Sequence, residues 1–134
     1  MYLLDTDIQS NLLRPRPSPV LLAKLRAISA EQRFTSSITV GELLYGAHRL
    51  REGRERLLHQ IETKVLAGLE VLPFDVEAAR IYGQLRAQLE ADGTPIGDAD
   101  TRIAAIALAH NLTVVTANLR HFARIPGLPV ENWL

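Results

Sequence analysis

The chain opens on an apolar run, Met1-Tyr2-Leu3-Leu4, that fits a buried strand. Asp5-Thr6-Asp7 follow, and Ile8, Leu12 and Leu13 then recur at helical spacing. Arg14-Pro15-Arg16-Pro17-Ser18-Pro19 breaks the pattern, because each proline restricts the residue before it. Leu21, Leu22, Leu25 and Ile28 predict a second amphipathic helix, and Arg33-Phe34-Thr35-Ser36 a second strand. Thr39-Val40-Gly41-Glu42 has the form of a capping box, which predicts a helix through Leu43, Leu44, Ala47 and Leu50. A charged helix is expected between Glu52 and Gly68, then a strand at Glu70-Val71-Leu72-Pro73. Asp75 suits the N-cap of a helix reaching Asp92, with Gly93 as its stop. Asp98 suits the N-cap of another, carrying Ile103, Ile106, Ala107 and His110 on one side and ending near Asn111. Thr113-Val114-Val115-Thr116 reads as a β-branched strand, and Leu128-Pro129-Val130 as a short last one.

Strands alternating with helices predict an α/β fold with a mostly parallel central sheet. No repeat or linker divides the chain, so residues 1–134 are read as one domain. In open sheets of this kind, ligands collect beyond the carboxyl ends of the strands.

Composition narrows the chemistry. Hydrophobic residues make up 47% of the chain, enough for a core without disulfides or structural metal. Lys+Arg and Asp+Glu are both 15, so bulk charge does not hold this protein to nucleic acid or membrane. The absence of Cys excludes a thiolate nucleophile, a Cys-ligated zinc and a disulfide framework. The four His are scattered, without zinc-like spacing. There is no apolar run approaching the ~18–20 residues of a membrane span, and no signal-peptide pattern. The expectation is a cytoplasmic protein with no membrane partner.

The acids sit in informative places. Asp5 directly follows the first strand, at the start of a helix. Taken singly, it reads as a helix cap or a first-turn acid favoured by the helix dipole. Glu42 can close the capping box on Thr39, and Asp98 and Asp100 share one first turn. Two residues apart, those last two do not share a helical face, so they have different jobs. The set carries more than its members. Asp5, Glu42 and Asp100 each lie at a strand-to-helix junction or a helix start, and right-handed crossovers gather such junctions on one sheet edge. Converging carboxylates repel one another, and a divalent cation relieves that repulsion. Mg²⁺ or Mn²⁺ held by oxygen ligands suits attack of water on a phosphodiester.

At these residues the chain resembles the PIN-domain family. Leu3-Leu4-Asp5-Thr6-Asp7-Ile8 resembles that family's opening strand and Asp-Thr/Ser-Asn motif. Ser36 to Ala47 resembles its second motif around Glu42, Pro95 to Ala105 its third around Asp100, and Val115-Thr116-Ala117-Asn118-Leu119-Arg120-His121-Phe122 its fourth. Trp133 near the end is also in keeping. Within the family, the chain is most similar to the VapC-type toxins of bacterial type II toxin–antitoxin pairs. The resemblance implies a PIN-like three-layer fold and an endoribonuclease dependent on Mg²⁺ or Mn²⁺ that leaves a 5′-phosphate and a 3′-hydroxyl on structured RNA such as tRNA or rRNA. It implies a VapB-type antitoxin that wraps the toxin and fills its active site, a homodimer, and a toxin–antitoxin hetero-oligomer. By position, Asp5 and Asp100 become metal ligands and Glu42 a ligand directly or through water. Asp98 is an additional acid and a further candidate metal ligand that offsets Asn118, which stands where many members carry Asp. Asp7 stands where Asn is commoner. Thr6 and Thr116 are placed to orient ligands, and Arg86, Arg102 and Arg120 fall within or near the motifs as candidate RNA contacts. Leu12, Leu13, Leu43, Leu44 and Tyr45 are read as core or as a groove for an antitoxin helix.

Two alternatives stay open at this stage. Leu4-Asp5-Thr6-Asp7 also fits a haloacid-dehalogenase-like phosphatase, with Asp5 as nucleophile and Asp7 as general acid, although the late Lys of that family is missing. A PIN-like binding module without catalysis is the other, kept alive by Asn118.

Overall fold

The structure, a computed structural model, describes residues 1–134. Five strands form one sheet: β1 (Tyr2–Leu4), β2 (Arg33–Ser36), β3 (Glu70–Leu72), β4 (Thr113–Val115) and β5 (Val130–Glu131). Their order is β3-β2-β1-β4-β5, and every neighbouring pair is parallel. The chain builds outward from β1 through β2 to β3, then returns to the other side of β1 for β4. That reversal makes the carboxyl ends of β1 and β4 the switch point of the sheet, where the connecting loops part and leave a crevice.

The helices are α1 (Thr6–Leu12), α2 (Pro19–Arg26), α3 (Ser37–His48), α4 (Arg54–Gln60), α5 (Val76–Ala91), α6 (Asp98–Ala109) and α7 (Leu119–Phe122). A single 3₁₀ turn, Ala30–Gln32, leads into β2. The expected charged helix begins at Arg54 rather than Glu52, because Gly53 ahead of it takes a left-handed conformation with φ 77°. It then widens into a π-helical stretch, Ile61–Leu66. Gly93 stops α5 as expected, with φ 71°. The sequence pattern did not predict α7, which is only four residues long.

Alternation along the strands explains the layers. Successive side chains of a strand point to opposite faces. Leu3 and Val114 pack with Ala78, Leu85, Ile103, Ile106 and Phe122, from α5, α6 and α7. Leu4 and Val115, one residue on, pack with Ile8, Leu21, Leu25 and Trp133 on the other face. A third, smaller cluster joins Leu43 and Ala47 of α3 to Ile61 and Val65. Tyr2 meets Trp133 edge-on, with ring centroids 4.8 Å apart, which ties the C-terminal residues to β1.

This arrangement predicts how mutations partition. Ile106→Ala, at a fully buried position of α6, should lower stability by about 2–5 kcal/mol. Val20→Ala, at an exposed position of α2, should change it by less than about 0.5 kcal/mol. Urea unfolding measures both, and similar effects at the two sites would contradict the core assignment.

Candidate active site

Backbone pairing builds the site. Leu4 lies opposite Val115 in the β1–β4 ladder, and the Asp5 amide donates to the Val115 carbonyl at 2.9 Å. The first residues past the two strands are therefore neighbours. The Thr116 hydroxyl donates to Asp5 Oδ2 at 2.8 Å, while Asp5 Oδ1 accepts from the Thr6 amide at 2.8 Å and caps α1. Asp7, in the first turn of α1, accepts from the Ala117 amide at 2.9 Å through Oδ2. The Asn118 amide hydrogen goes to Thr116 Oγ1 at 2.9 Å.

Two more helices bring the other acids. Ser36 caps α3, its Oγ accepting from the Thr39 amide at 3.0 Å. Glu42 thus lies in the second turn of α3, and its Oε1 is 2.6 Å from the Thr6 hydroxyl, which is itself 3.1 Å from the Thr39 hydroxyl. Each hydroxyl has one proton. That of Thr6 goes to the carboxylate, leaving Thr39 to donate to Thr6. Asp100 projects from the first turn of α6, where the Asn118 side-chain amide donates to its Oδ2 at 3.2 Å. His121 Nδ1 is 3.2 Å from the same oxygen and 2.9 Å from Asn118 Nδ2.

Together Asp5, Thr6, Asp7, Ser10, Arg14, Glu42, Asp100 and Asn118 line an open pocket of about 410 Å³ with no hydrophobic side chain. Asp5 is buried to 4% exposure. Burial first, and then the Asp7 charge, push its carboxyl up to about 7, against the hydrogen bonds from Thr116 and Thr6. Burial also raises Asp7, with a smaller contribution from Asp100. Asp7 Oδ1 is buried and has no hydrogen-bond partner. Two acids held above their ordinary range and one orphaned carboxylate oxygen are what a hard cation would satisfy. No three acids or imidazoles close into a ready-made cage. The acids instead surround open volume, which suits an ion such as Mg²⁺ that retains several waters. Asp5, Asp100 and Glu42 are the residues that could hold it, with Asp7 beside them.

Several sequence expectations need correction. Thr39 and Glu42 do not form a capping box. Ser36 takes that role three residues earlier, which frees Glu42 to face Thr6 across the pocket. Asp98 neither caps α6 nor lines the pocket. Gly97 holds the cap position, and the Asp98 carboxylate is taken up by the Tyr82 hydroxyl, by Arg102 Nη2 at 2.9 Å and by Arg86 Nη1 at 3.3 Å. That hydrogen bond, with the two guanidiniums, holds its carboxyl below the usual range. Asp98 therefore offers no compensation for Asn118. Arg86 and Arg102 are likewise engaged away from the pocket, Arg86 also on Glu90 at 3.0 Å and Arg102 over the rings of Phe74 and Tyr82. Arg120 is exposed and lies outside the pocket lining.

Of the apolar candidates, Leu43 is core, Leu12, Leu13 and Leu44 are half-buried, and Tyr45 is exposed. Asp7, Ser10 and Arg14 line the pocket without having been assigned a place in the PIN-like site from sequence, and His121 adjoins Asp100. The spacing of Thr6, Ser10 and Arg14, four residues apart, was the available signal for one face.

The buried acid has a consequence for stability. A folded-state pKa above the unfolded one means that the folded chain holds the proton more tightly. With Asp5 raised from 3.8 to about 7, the metal-free protein loses stability as pH rises through that window. Asp5→Asn removes the charge, so its melting temperature should gain on wild type progressively across the same window. Melting curves without metal test this, and a difference that does not depend on pH would contradict the burial argument.

A PIN domain profile matches residues 2–128. The chain is 39% identical over 132 residues to the tRNA(fMet)-specific endonuclease VapC of Salmonella typhimurium, covering 98% of this chain and 97% of that one. It superposes on the DNA-bound VapBC structure from the same organism with a TM-score of 0.91 at 38% identity, covering 99% and 98% of the two chains. For FitAcB from Neisseria gonorrhoeae the TM-score is 0.89 at 38% identity, with 98% and 97% covered. The phosphatase alternative falls with these matches, and neither Lys24 nor Lys64 lines the carboxylate pocket. The motifs, the parallel sheet with its switch-point carboxylates and the near full-length similarity agree: this chain belongs to the PIN domain family, among the VapC-type proteins.

Proposed function

We propose that the protein is a metal-dependent endoribonuclease, the toxin of a type II toxin–antitoxin pair, which hydrolyses phosphodiester bonds of structured RNA. The observation that carries the reading is the convergence of Asp5, Asp7, Glu42 and Asp100 on one hydrophilic pocket at the sheet's switch point. The relatives named above as an endonuclease and as VapBC and FitAcB complexes support the substrate and the partner. RNA as substrate makes the cytoplasm its working compartment. A bound Mg²⁺ or Mn²⁺ would offset charge on the phosphate and make water a better nucleophile.

The chain's own residues supply the rest. Thr116 and the Thr6 amide fix both oxygens of Asp5. Asn118 orients Asp100, and Thr6 orients Glu42. Pre-set carboxylates of this kind need no reorganisation when substrate arrives. Hydrolysis transfers the phosphoryl bond from the 3′-oxygen to water, leaving a 5′-phosphate and a 3′-hydroxyl. Beside the pocket runs an apolar groove of about 410 Å³ that includes Leu13, Leu43, Leu50, Leu57 and Ile61. It shares Thr6, Ser10, Arg14 and Glu42 with the carboxylate pocket. An antitoxin segment lying there would reach the acids and block the site.

Incubation of the purified, antitoxin-free protein with total cellular RNA tests the reading. Discrete fragments should appear with Mg²⁺ or Mn²⁺ and not with EDTA. Asp5→Asn and Asp100→Asn should abolish them with circular dichroism unchanged, and Thr116→Val should slow cleavage by about 10–100-fold. Absence of cleavage by wild type would favour a binding module instead.

A further inference from the structure

With Arg86 and Arg102 paired elsewhere, the site lacks the basic contacts expected of them. RNA brings negative charge to a pocket already lined by four acids. One cation remains in the lining. Arg14 is exposed at the mouth, on the border between the carboxylate pocket and the apolar groove, and it lines both. The ion pairs made by arginines are Arg86–Glu90, Arg86–Asp98 and Arg102–Asp98. Arg14 is in none of them.

The loop that carries Arg14 is held in shape. The Arg14 amide donates to the Asn11 carbonyl at 3.1 Å, continuing the line of α1 past its end. Asn11 is buried, and its side-chain Oδ1 accepts from the Ser18 amide at 2.8 Å, closing residues 11–18 into a short ring. Pro15 and Pro17 fix φ within that ring, and Pro19 starts α2 immediately after it. An arginine on a loop stapled in this way loses little backbone freedom on binding.

We propose that Arg14 is the residue that grips an RNA phosphate at the mouth of the site. The proposal rests on the nuclease reading and adds to it a named substrate contact. The guanidinium takes two oxygens of one phosphate in a fork and offsets the repulsion between substrate and carboxylates. The side chain also marks where groove and pocket meet, so any occupant of the groove competes with RNA for it.

The test uses a labelled RNA hairpin with a single-stranded loop, with anisotropy measured on the cleavage-deficient Asp5→Asn protein in EDTA at several salt concentrations. Adding Arg14→Ala should weaken binding at least several-fold and flatten the slope of log affinity against log salt by about 0.7, the loss of one phosphate contact. Arg16→Ala removes the same charge from the same loop but lies outside the pocket, and it should leave both quantities near the parent's. Arg14→Lys should keep the slope while binding less tightly. On the otherwise wild-type enzyme, Arg14→Ala should raise KM with little change in kcat. Equal effects of Arg14→Ala and Arg16→Ala, or none from either, overturn the assignment while leaving the nuclease reading in place. Should the parent not bind RNA, the kinetics on the wild-type background decide: an unchanged KM for Arg14→Ala overturns the assignment, and failure of wild type to cleave RNA overturns both.

Discussion

The pairing of β1 with β4 is the constraint on which the site depends. Leu4 opposite Val115 fixes which residues come next to each other past the strand ends, and those are Asp5 and Thr116. A slip of β1 by one residue would exchange its two faces, sending Leu3 into the layer of Val115. It would also part the carboxylate from its hydroxyl. The register is held by two cores at once, one on each face of the sheet. The site is thus as well defined as the packing beneath it.

A second constraint runs against the first. Burying Asp5 beside Asp7 and within the field of Asp100 makes its ionised form costly. The fold tolerates this because hydrogen bonds from Thr6, Thr116 and Ala117 meet most of the carboxylate oxygens, though Asp7 Oδ1 goes without. Such a site costs stability in the isolated protein and would be relieved by a cation, the pattern expected where function rather than stability selected the residues.

Much of this was legible in the sequence, and the failures share a physical cause. The strand–helix alternation, the apolar β1 and the acids at strand ends gave the parallel sheet and its functional edge. Asp5, Glu42 and Asp100 line one pocket, hydrogen-bonded to Thr116, Thr6 and Asn118 respectively. The misplaced roles all turned on direction. The sequence pattern placed the cap of α3 at Thr39, whereas the chain path out of β2 puts it at Ser36. Asp98 and Asp100 differ by two positions in one turn. The tertiary contact with Tyr82 and Arg86 of α5 drew Asp98 outward and left Asp100 facing the pocket. Arg86 and Arg102 were spent on that contact, which no local pattern reveals. Arg14 escaped notice because its loop looked like a mere break between helices, and the Asn11–Ser18 closure that shapes it is not a sequence motif.

If the switch-point carboxylates form one cation site, Mn²⁺ binding followed by titration calorimetry reveals it without reference to catalysis. Wild type should bind saturably, Asp5→Asn should lose that binding, and Asp98→Asn should retain it. Binding that survives Asp5→Asn, or is lost with Asp98→Asn instead, would contradict the account.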